Sequence, residues 1–239
     1  MSAALTPAFV LHRRNYQEAS LLVDLFTRDR GRVCAVARGA RKSRRHRSGL
    51  LQPYVPLQVG LSGRGQLSTL GLVEAEGGAV LTVGSRPALV ALYVNELVLR
   101  LTGRDDPNPN LFREYLKTLV ALSSGPAAPA LRQFELALLA SQGYALVLNI
   151  AVDTGEPIVP EQHYTYIIEE GPVTGAQSAG SPQVTGATLL GLASGDGDGS
   201  GNPREAKVLL RYVLDHYLGS KPLKSRQLFQ QMTFSENTQ

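Results

Sequence analysis

The first third of the chain alternates between short apolar runs and turn-forming residues. Asp29-Arg30-Gly31 and Ser62-Gly63-Arg64-Gly65 separate segments that are rich in β-branched and aromatic side chains. Five strands are predicted: Phe9 to His12, Ser20 to Phe26, Val33 to Ala37, Tyr54 to Leu61 and Gln66 to Leu72. Five short strands in about 70 residues favour a small closed barrel of the OB type. Phe9 and Phe26 follow the apolar alternation and are predicted to lie in the core.

From Arg86 the pattern changes to the period of helices. Arg86 to Leu101 is apolar nearly all round, which predicts a buried central helix with Pro87 in its first turn. Three more helices are expected: Asn110, acting as the cap, to about Leu122; Ala127 to Gln142; and Arg204 to Leu218. In the second of these, Arg132 and Glu135 lie together, away from the apolar face.

Residues 150–203 show a weaker pattern. Tyr164 to Ile168 is predicted to be a strand that pairs with the segment after Gly171, and Gly175 to Gly186 has the Gly, Ser and Gln content of a mobile loop. The predicted fold class is therefore α+β: an N-terminal five-stranded OB-type β-barrel, a mainly helical domain, a small irregular or β insertion and a C-terminal helix. The expected divisions are residues 1–80, 81–149, 150–203 and 204–239, with the last segment packed on the helical domain.

The excess positive charge is concentrated in one short stretch. The 239 residues include 24 Lys and Arg against 20 Asp and Glu. Six of these cations lie between Ala37 and Ser48 with no carboxylate among them, and removing the six leaves 18 cations against 20 carboxylates. Crowded like charges favour a flexible loop that lies against a polyanion, so nucleic-acid phosphate is the first interpretation. A solvated loop, an acidic protein and a membrane surface are the alternatives.

The candidate DNA-binding side chains all belong to the basic N-terminal third. Residues 1–80 contain 12 Lys and Arg against 5 Asp and Glu. A base stacked on an exposed aromatic ring contributes about 1–3 kcal/mol. Tyr16 and Tyr54 stand beside polar residues, so each ring could either stack on a base or pack against the protein. The candidate set is Arg13, Arg14, Arg28, Arg30, Arg32, Arg38, Arg41, Lys42, Arg44, Arg45, Arg47 and Tyr54.

Catalytic and metal chemistry find little support in the sequence. Cys34, the single cysteine, is predicted to pack as an apolar strand residue, and the four histidines lack metal-binding spacing. The acidic alternation after Ser194 resembles a calcium loop, but Lys207 occupies the position that requires a bidentate Glu. No carboxylate cluster suits a nuclease, and no nucleophile, base and orienting group assemble. We expect no catalytic residue, metal or cofactor. No apolar run approaches a membrane span, which predicts a cytoplasmic protein. With DNA as its expected ligand, the protein should be nucleoid-associated.

Seven short stretches of the chain form one pattern. They are Ala8-Phe9-Val10-Leu11-His12, Gly31-Arg32-Val33, Ala37-Arg38-Gly39-Ala40-Arg41, Leu51-Gln52-Pro53-Tyr54, Tyr93-Val94-Asn95-Glu96-Leu97, Leu131-Arg132-Gln133-Phe134-Glu135-Leu136-Ala137-Leu138-Leu139 and Leu218-Gly219-Ser220-Lys221-Pro222-Leu223-Lys224-Ser225-Arg226. Together they resemble the bacterial RecO recombination mediators, whose order and spacing they match from about residue 8 to about residue 231.

The resemblance implies an OB fold, a helical domain, a small C-terminal extension and a non-enzymatic role in DNA repair. Proteins of this family bind single- and double-stranded DNA, anneal complementary strands and, with RecR, help to load RecA onto DNA coated by single-strand binding protein (SSB). Many members contain a four-cysteine zinc site after the third helix. The corresponding residues here, Asn149 to Pro157, include no cysteine, so we expect no zinc.

The resemblance also implies that the helical domain binds the acidic, Phe-ending tail of SSB. Such a tail requires a cation for its terminal carboxylate and an apolar pocket for the Phe. Arg132 is the first candidate cation, with an ion pair to Glu135 as its alternative role. Lys221, Lys224 and Arg226 are further candidates. Two other functions stay open: a metal-dependent nuclease or strand-joining enzyme, and an adaptor that binds SSB or RecR without contacting DNA.

Overall fold

The chain divides into two compact units. A computed structural model describes residues 4–41, 47–63, 65–76, 85–125, 127–175, 180–195 and 201–236. The first unit comprises Met1–Gly125 and Pro222–Gln239, and the second comprises Pro126–Lys221. Helices of the predicted segment 81–149 therefore occur in both units, and the four-part division made from the sequence stays a prediction.

The first unit contains a closed five-stranded barrel. Its strands are β1 (Leu5–Tyr16), β2 (Ser20–Thr27), β3 (Gly31–Ala37), β4 (Leu57–Ser62) and β5 (Ser68–Ala75). They follow the order β1-β2-β3-β5-β4, and β1 also pairs with β4 to close the barrel. Every pairing is antiparallel except that of β3 with β5, where Ala35 lies opposite Ser68 in a parallel register. The predicted OB-type barrel is confirmed.

Consecutive side chains of a strand point to opposite faces of the sheet, and in this barrel both faces contain buried apolar residues. Val10, Val23, Leu25, Leu57 and Val59 belong to the buried cluster of the barrel, against which Leu50 of the short helix α1 (Arg47–Leu50) also packs. Phe9 and Phe26 alternate with these residues and pair across β1 and β2. Both are buried, as predicted, but in a second core outside the barrel.

That second core joins the barrel to helix α3 (Pro109–Ser124). The Phe9 ring lies 5.7 Å from the ring of Phe112 and 5.2 Å from that of Tyr115, and Phe26 lies 5.4 and 5.5 Å from the same two rings. Tilted and edge-on aromatic pairs of this kind add to the stabilisation from burial.

Helix α2 (Ser85–Leu101) contacts β1, α3 and the C-terminal helix α7 (Lys224–Glu236). Asn95 is buried, donates to the Leu11 carbonyl at 3.1 Å and accepts the Tyr115 hydroxyl at 2.7 Å. The Glu96 carboxylate accepts the first backbone N–H groups of α7, at 2.9 Å from both Lys224 and Ser225. The predicted central position of this helix is confirmed within the first unit.

Residues 102–108, which connect α2 to α3, form a strap across the turn between β2 and β3. The backbone N–H of Asp105 donates to the Arg32 carbonyl at 2.9 Å, and the Arg32 guanidinium donates to the Thr102 carbonyl at 2.8 Å. Gly31 lies against the strap so closely that a Cβ atom there would be 1.9 Å from the Asp106 carbonyl oxygen. The strap therefore fixes one end of the barrel.

The second unit combines three helices with a small antiparallel sheet. The helices are α4 (Ala128–Ser141), α5 (Gly186–Ser194) and α6 (Pro203–Leu218). The sheet has the order β7 (Gly171–Thr174), β6 (His163–Ile167) and β8 (Gln183–Thr185). The predicted pairing of the segment at Tyr164 with the segment after Gly171 is confirmed by the register of Tyr164 opposite Thr174.

Two details of the sequence prediction are wrong and a third is incomplete. Asn108, not Asn110, caps α3, because its side chain accepts the Leu111 N–H at 2.8 Å. The segment Gly175 to Gly186 is not a loop throughout, because its last residues form β8 and begin α5. The predicted C-terminal helical segment 204–239 was given one bounded helix, which ended at Leu218; helix α7 lies beyond it, in a polar sequence without a continuous apolar stripe. No helix in the described ranges is long and apolar enough to cross a membrane.

Candidate nucleic-acid interface and peptide groove

Three of the predicted arginines line one cleft where β1 turns into β2. The cleft has a volume of about 520 Å³ and is lined by Arg13, Arg14, Asn15, Leu21 and Arg41. The strand register brings these residues together, because Asn15 lies opposite Leu21 and Leu21 lies opposite Ala37 at the end of β3. Three guanidinium groups in one open cleft are suited to binding phosphate groups.

Arg41 connects the β1–β2 turn to the residues that follow β3. Its backbone N–H donates to the Ala19 carbonyl at 3.0 Å, and its Nη1 donates to the carbonyls of Gln17 at 3.3 Å and Glu18 at 3.2 Å. The side chain is nevertheless exposed, as are those of Arg14 and Arg38. A guanidinium has five N–H donors, so these contacts leave Arg41 donors for an anion.

Four of the predicted DNA-binding side chains lie outside the described residues. Lys42, Arg44 and Arg45 lie outside the described residues. The side chain of Arg47 is also outside them, although its backbone begins α1.

Arg28, Arg30 and Arg32 lie at the other end of the β2–β3 hairpin, and each contacts groups of its own unit. The eight residues of β2 separate the two ends by about 23 Å at 3.3 Å per residue. Arg28 pairs with Asp29 at 2.9 Å, and the Arg30 Nε donates to Asp105 at 3.1 Å. Burial, and then the charge of Arg104, lowers the pKa of the Arg32 guanidinium. The cleft and these three arginines therefore do not form one site.

Tyr54 is a poor platform for base stacking. Its backbone has a φ of 69°, and its side chain is half-buried. Burial raises the pKa of Tyr54 to about 12. Tyr16 is also half-buried and packs against the outer cluster of Leu22, Cys34 and Val36. Packing therefore accounts for both tyrosines.

In the second unit, Arg132 lines a groove between α4, α5 and the start of α6. The groove has a volume of about 390 Å³, and Pro129, Leu192 and Ala206 contribute apolar wall. Arg204 and Lys207 line it too, and both are exposed. Residues three apart share one face of a helix, so α6 presents these two cations together.

The Arg132 guanidinium also forms an ion pair with the Glu135 carboxylate. The Glu135 side chain is only 2% exposed, and the Arg132 side chain is 18% exposed. The prediction that both lie away from the apolar face is wrong for Glu135, which the helix buries. Arg132 therefore has a structural role whether or not it binds a ligand.

A hydrogen-bond network fixes the start of α6 beside the groove. One Glu205 oxygen accepts the Thr185 N–H at 2.9 Å, the Thr185 hydroxyl at 2.7 Å and the Thr188 hydroxyl at 2.9 Å. The other oxygen accepts the Asn202 side-chain amide at 3.1 Å. Although burial opposes the shift, these hydrogen bonds lower the pKa of Glu205.

The four cations predicted for the SSB tail are divided between the units. Arg132 and the exposed Lys221 belong to the second unit, whereas Lys224 and Arg226 belong to the first. Arg226 lies over the ring of Tyr93, 5.7 Å from its centroid. The sequence prediction missed Arg204 and Lys207. The helix start signal at Asn202-Pro203 could have indicated that these two residues share one helix face.

No group of three or more His, Cys, Asp or Glu side chains that could hold a metal ion occurs in the parts of the chain that the structure describes. Cys34 is buried, as predicted. Burial, and then the Asp24 carboxylate, raises the pKa of the Cys34 thiol, which disfavours the nucleophilic thiolate.

Comparison with known proteins assigns both parts of the chain to one family. The model described as "Recombination protein O N terminal" matches residues 1–77, and "Recombination protein O C terminal" matches residues 87–227. A "DNA repair protein RecO" of Aromatoleum aromaticum is 43% identical over 227 residues, covering 95% of both chains. The protein of that name in Methylococcus capsulatus is 44% identical over 230 residues, covering 94% of this chain and 92% of its own.

The chain belongs to the RecO family. The segment Asn149 to Pro157, for which we expected no zinc, contains no cysteine. In this chain, backbone hydrogen bonds close the loop, from Ala151 N–H to the Glu156 carbonyl and from Gly155 N–H to the Ala151 carbonyl, both at 2.8 Å. The Asp153 carboxylate then accepts the Thr174 N–H at 2.9 Å and its hydroxyl at 2.6 Å, which ties the loop to β7.

Proposed function

We propose that this chain is a non-catalytic recombination mediator in DNA repair. In this proposal it binds single- and double-stranded DNA, anneals complementary strands and, with RecR, helps RecA to load onto SSB-coated DNA. Membership of the RecO family supports this role, and the arginine cleft at one end of an OB-type barrel is the observation on which it depends most.

We assign the DNA contact to the cleft and to the basic segment that follows it. Arg13, Arg14 and Arg41 line the cleft, and Arg38 is exposed in the turn before Arg41. The candidates Lys42, Arg44, Arg45 and Arg47 directly continue this chain segment. We assign Arg30 and Arg32 a structural role instead, because their guanidinium groups hold the strap.

The salt dependence of DNA binding tests this assignment. Each phosphate contact with single-stranded DNA contributes about −0.7 to the slope of log affinity against log salt. Removing two contacts by Arg14→Ala with Arg41→Ala should therefore make the slope less steep by about 1.4. Changing Arg41, Lys42, Arg44 and Arg45 to Ala should make the slope less steep by about 2.8. Fluorescence anisotropy with a labelled oligonucleotide gives both slopes.

Arg113→Ala is the matched control, because Arg113 is an exposed arginine of the same unit on α3. It should leave the slope unchanged. If Arg14→Ala with Arg41→Ala also leaves the slope unchanged, the cleft is not the DNA site. If the wild type binds no DNA at all, the chain is an adaptor. Mg²⁺-dependent cleavage by the purified protein would instead indicate a nuclease.

We assign the acidic, Phe-ending tail of SSB to the groove that contains Arg132. The apolar walls suit the Phe side chain, and three cations suit its carboxylate and the neighbouring acidic residues. Arg204 and Lys207 are better test positions than Arg132, because Arg132→Ala would also leave the buried Glu135 carboxylate without its cation.

A labelled peptide with an acidic sequence and a terminal Phe is the probe for the groove. Loss of one exposed cation should cost about 1 kcal/mol, or roughly fivefold in affinity, for Arg204→Ala and for Lys207→Ala. Arg211→Ala, on α6 but outside the groove, should bind like the wild type. Equal binding of the C-terminally amidated peptide would contradict recognition of the carboxylate.

A further inference from the structure

A second cavity of the second unit, of about 280 Å³, has no counterpart in the proposed function. Tyr144, Val147, Tyr166, Val213 and Tyr217 contribute its aromatic and aliphatic lining. The rings of Tyr144 and Tyr217 stack with centroids 3.7 Å apart and planes 13° from parallel. Tyr144 is 42% exposed, so this residue of the stacked pair is accessible from solvent.

Two carboxylates complete the lining of this cavity. Glu169 and Glu170 lie in the turn between β6 and β7, and no Lys or Arg is among the described residues of the lining. His216 lies beside the cavity, with its Nε2 3.9 Å from a Glu169 carboxylate oxygen. Glu169 adopts a φ of 67°, a conformation that is rare outside glycine and recurs at ligand clamps.

The stacked tyrosines and the two glutamates of the turn line the same cavity. Burial, and then the charges of Glu169 and Tyr144, raises the pKa of the Tyr217 hydroxyl, so Glu169 lies within electrostatic reach of the stacked pair. Tyrosine faces attract cations through their quadrupole, and carboxylates form charge-assisted hydrogen bonds with them. The same carboxylates repel phosphate, which excludes the DNA backbone as the occupant.

The volume of about 280 Å³ is enough for a single side chain and lies at the lower limit of the roughly 300–1,000 Å³ that small-molecule sites occupy. A guanidinium fits its features better than an ammonium, because the planar group stacks on an aromatic face while its edge donates to carboxylates. Beside the cavity, Val152 is 39% exposed and approaches Gly171, next to Val147 of the lining. This apolar surface suits the residues that would flank an arginine within a chain.

We propose that this cavity is a receptor for one arginine side chain presented by a segment of a partner protein. Tyr144 stacks on the guanidinium with the ring face that Tyr217 does not cover, Glu169 and Glu170 accept its hydrogen bonds, and Val152 contacts an apolar neighbour of the arginine. The site is independent of the arginine cleft and of the Arg132 groove, and it selects a basic partner rather than an acidic one.

The probe is an acetylated and amidated pentapeptide, Ala-Leu-Arg-Leu-Ala, titrated into the full chain by calorimetry. Its counterpart contains citrulline, which keeps the shape of arginine but is neutral. We expect saturable binding of the arginine peptide and at least about tenfold weaker binding of the citrulline peptide. Glu169→Gln with Glu170→Gln should weaken the arginine peptide by a similar factor. Both side chains are exposed, so circular dichroism should be unchanged.

Glu161→Gln is the control for net charge, because Glu161 is exposed in the same unit but does not line the cavity. It should bind the peptide like the wild type. No saturable binding at millimolar peptide, equal binding of the citrulline peptide, or equal binding by the double Gln variant would each overturn the proposal. A lysine peptide that binds as tightly would remove the preference for arginine. Free N-acetylarginine amide that binds as tightly would show that no segment is recognised.

Discussion

Gly31→Ala tests whether the strap holds the end of the barrel. Gly31 has a φ of +64°, and the Cβ of an alanine there would lie 1.9 Å from the Asp106 carbonyl oxygen and 2.5 Å from its carbon. Both atoms belong to the backbone, so the clash cannot be relieved by rotating a side chain. Either the strap or the β2–β3 turn must move.

The expected loss combines two contributions. A left-handed backbone costs an alanine about 1 kcal/mol relative to glycine. Displacing the strap also disrupts the hydrogen bonds from Asp105 N–H to the Arg32 carbonyl, from Arg32 to the Thr102 carbonyl and from Arg30 to Asp105. At about 1 kcal/mol each, losing two or three of them adds about 2–3 kcal/mol. We expect Gly31→Ala to lower the free energy of unfolding of the first unit by about 3–4 kcal/mol.

Gly39→Ala is the matched control, because Gly39 has a φ of +68° but nothing lies within 4 Å of its would-be Cβ. It should lose only the backbone contribution of about 1 kcal/mol. Urea unfolding followed by circular dichroism gives the total loss, and hydrogen exchange of β2 and β3 peptides localises it to the barrel. Equal losses for the two variants would refute the role assigned to the strap.

The second unit offers four further tests. Hydrogen bonds lower the pKa of Glu205 below its usual 4.5, so stability should be lost as the pH falls from about 4.5, and Glu205→Gln should flatten that loss in acid unfolding curves. Arg132→Met should destabilise by about 3 kcal/mol, whereas adding Glu135→Leu should recover most of the loss in urea unfolding; no recovery would argue against a buried ion pair. Asp153→Asn should speed amide exchange in residues 149–157, and EDTA should leave thermal melting unchanged, since a shift would reveal a bound metal.

The barrel was predictable because the sequence signals of its strands and turns are local. Alternation of apolar residues and the turns around Gly31 and Gly63 are visible within about ten residues of sequence. The packing of Phe9 and Phe26 was predictable only in part. Their burial follows from alternation, but their position outside the barrel depends on Phe112 and Tyr115, far along the chain.

The candidate site was less predictable because arginines look alike in sequence. Arg14, in the cleft, and Arg30, which contacts the strap, both stand beside polar residues at one end of β2. The contacts of Arg30 are with Gly63, Ser68 and Asp105, the last 75 residues away, and no local pattern connects these residues to it. Helix α5 was missed for a related reason. Its Gly-rich sequence has weak helix propensity, and the Glu205 network that fixes its start comes from α6.

The two ends of the barrel differ in how far carboxylates neutralise their arginines. At the strap end, Asp29 and Asp105 neutralise Arg28 and Arg30. At the other end, Arg41 is held by backbone carbonyls, which keep its full charge. A field that is more positive at the cleft end orients an approaching polyanion before contact, and salt weakens this effect. We therefore expect substitutions in the cleft to slow DNA association at low salt, whereas charge changes at the strap end should leave the association rate nearly unchanged. Stopped-flow fluorescence of Arg14→Ala and Arg28→Ala distinguishes the two ends. Equal effects on the rate would mean that DNA approaches the barrel without this orientation.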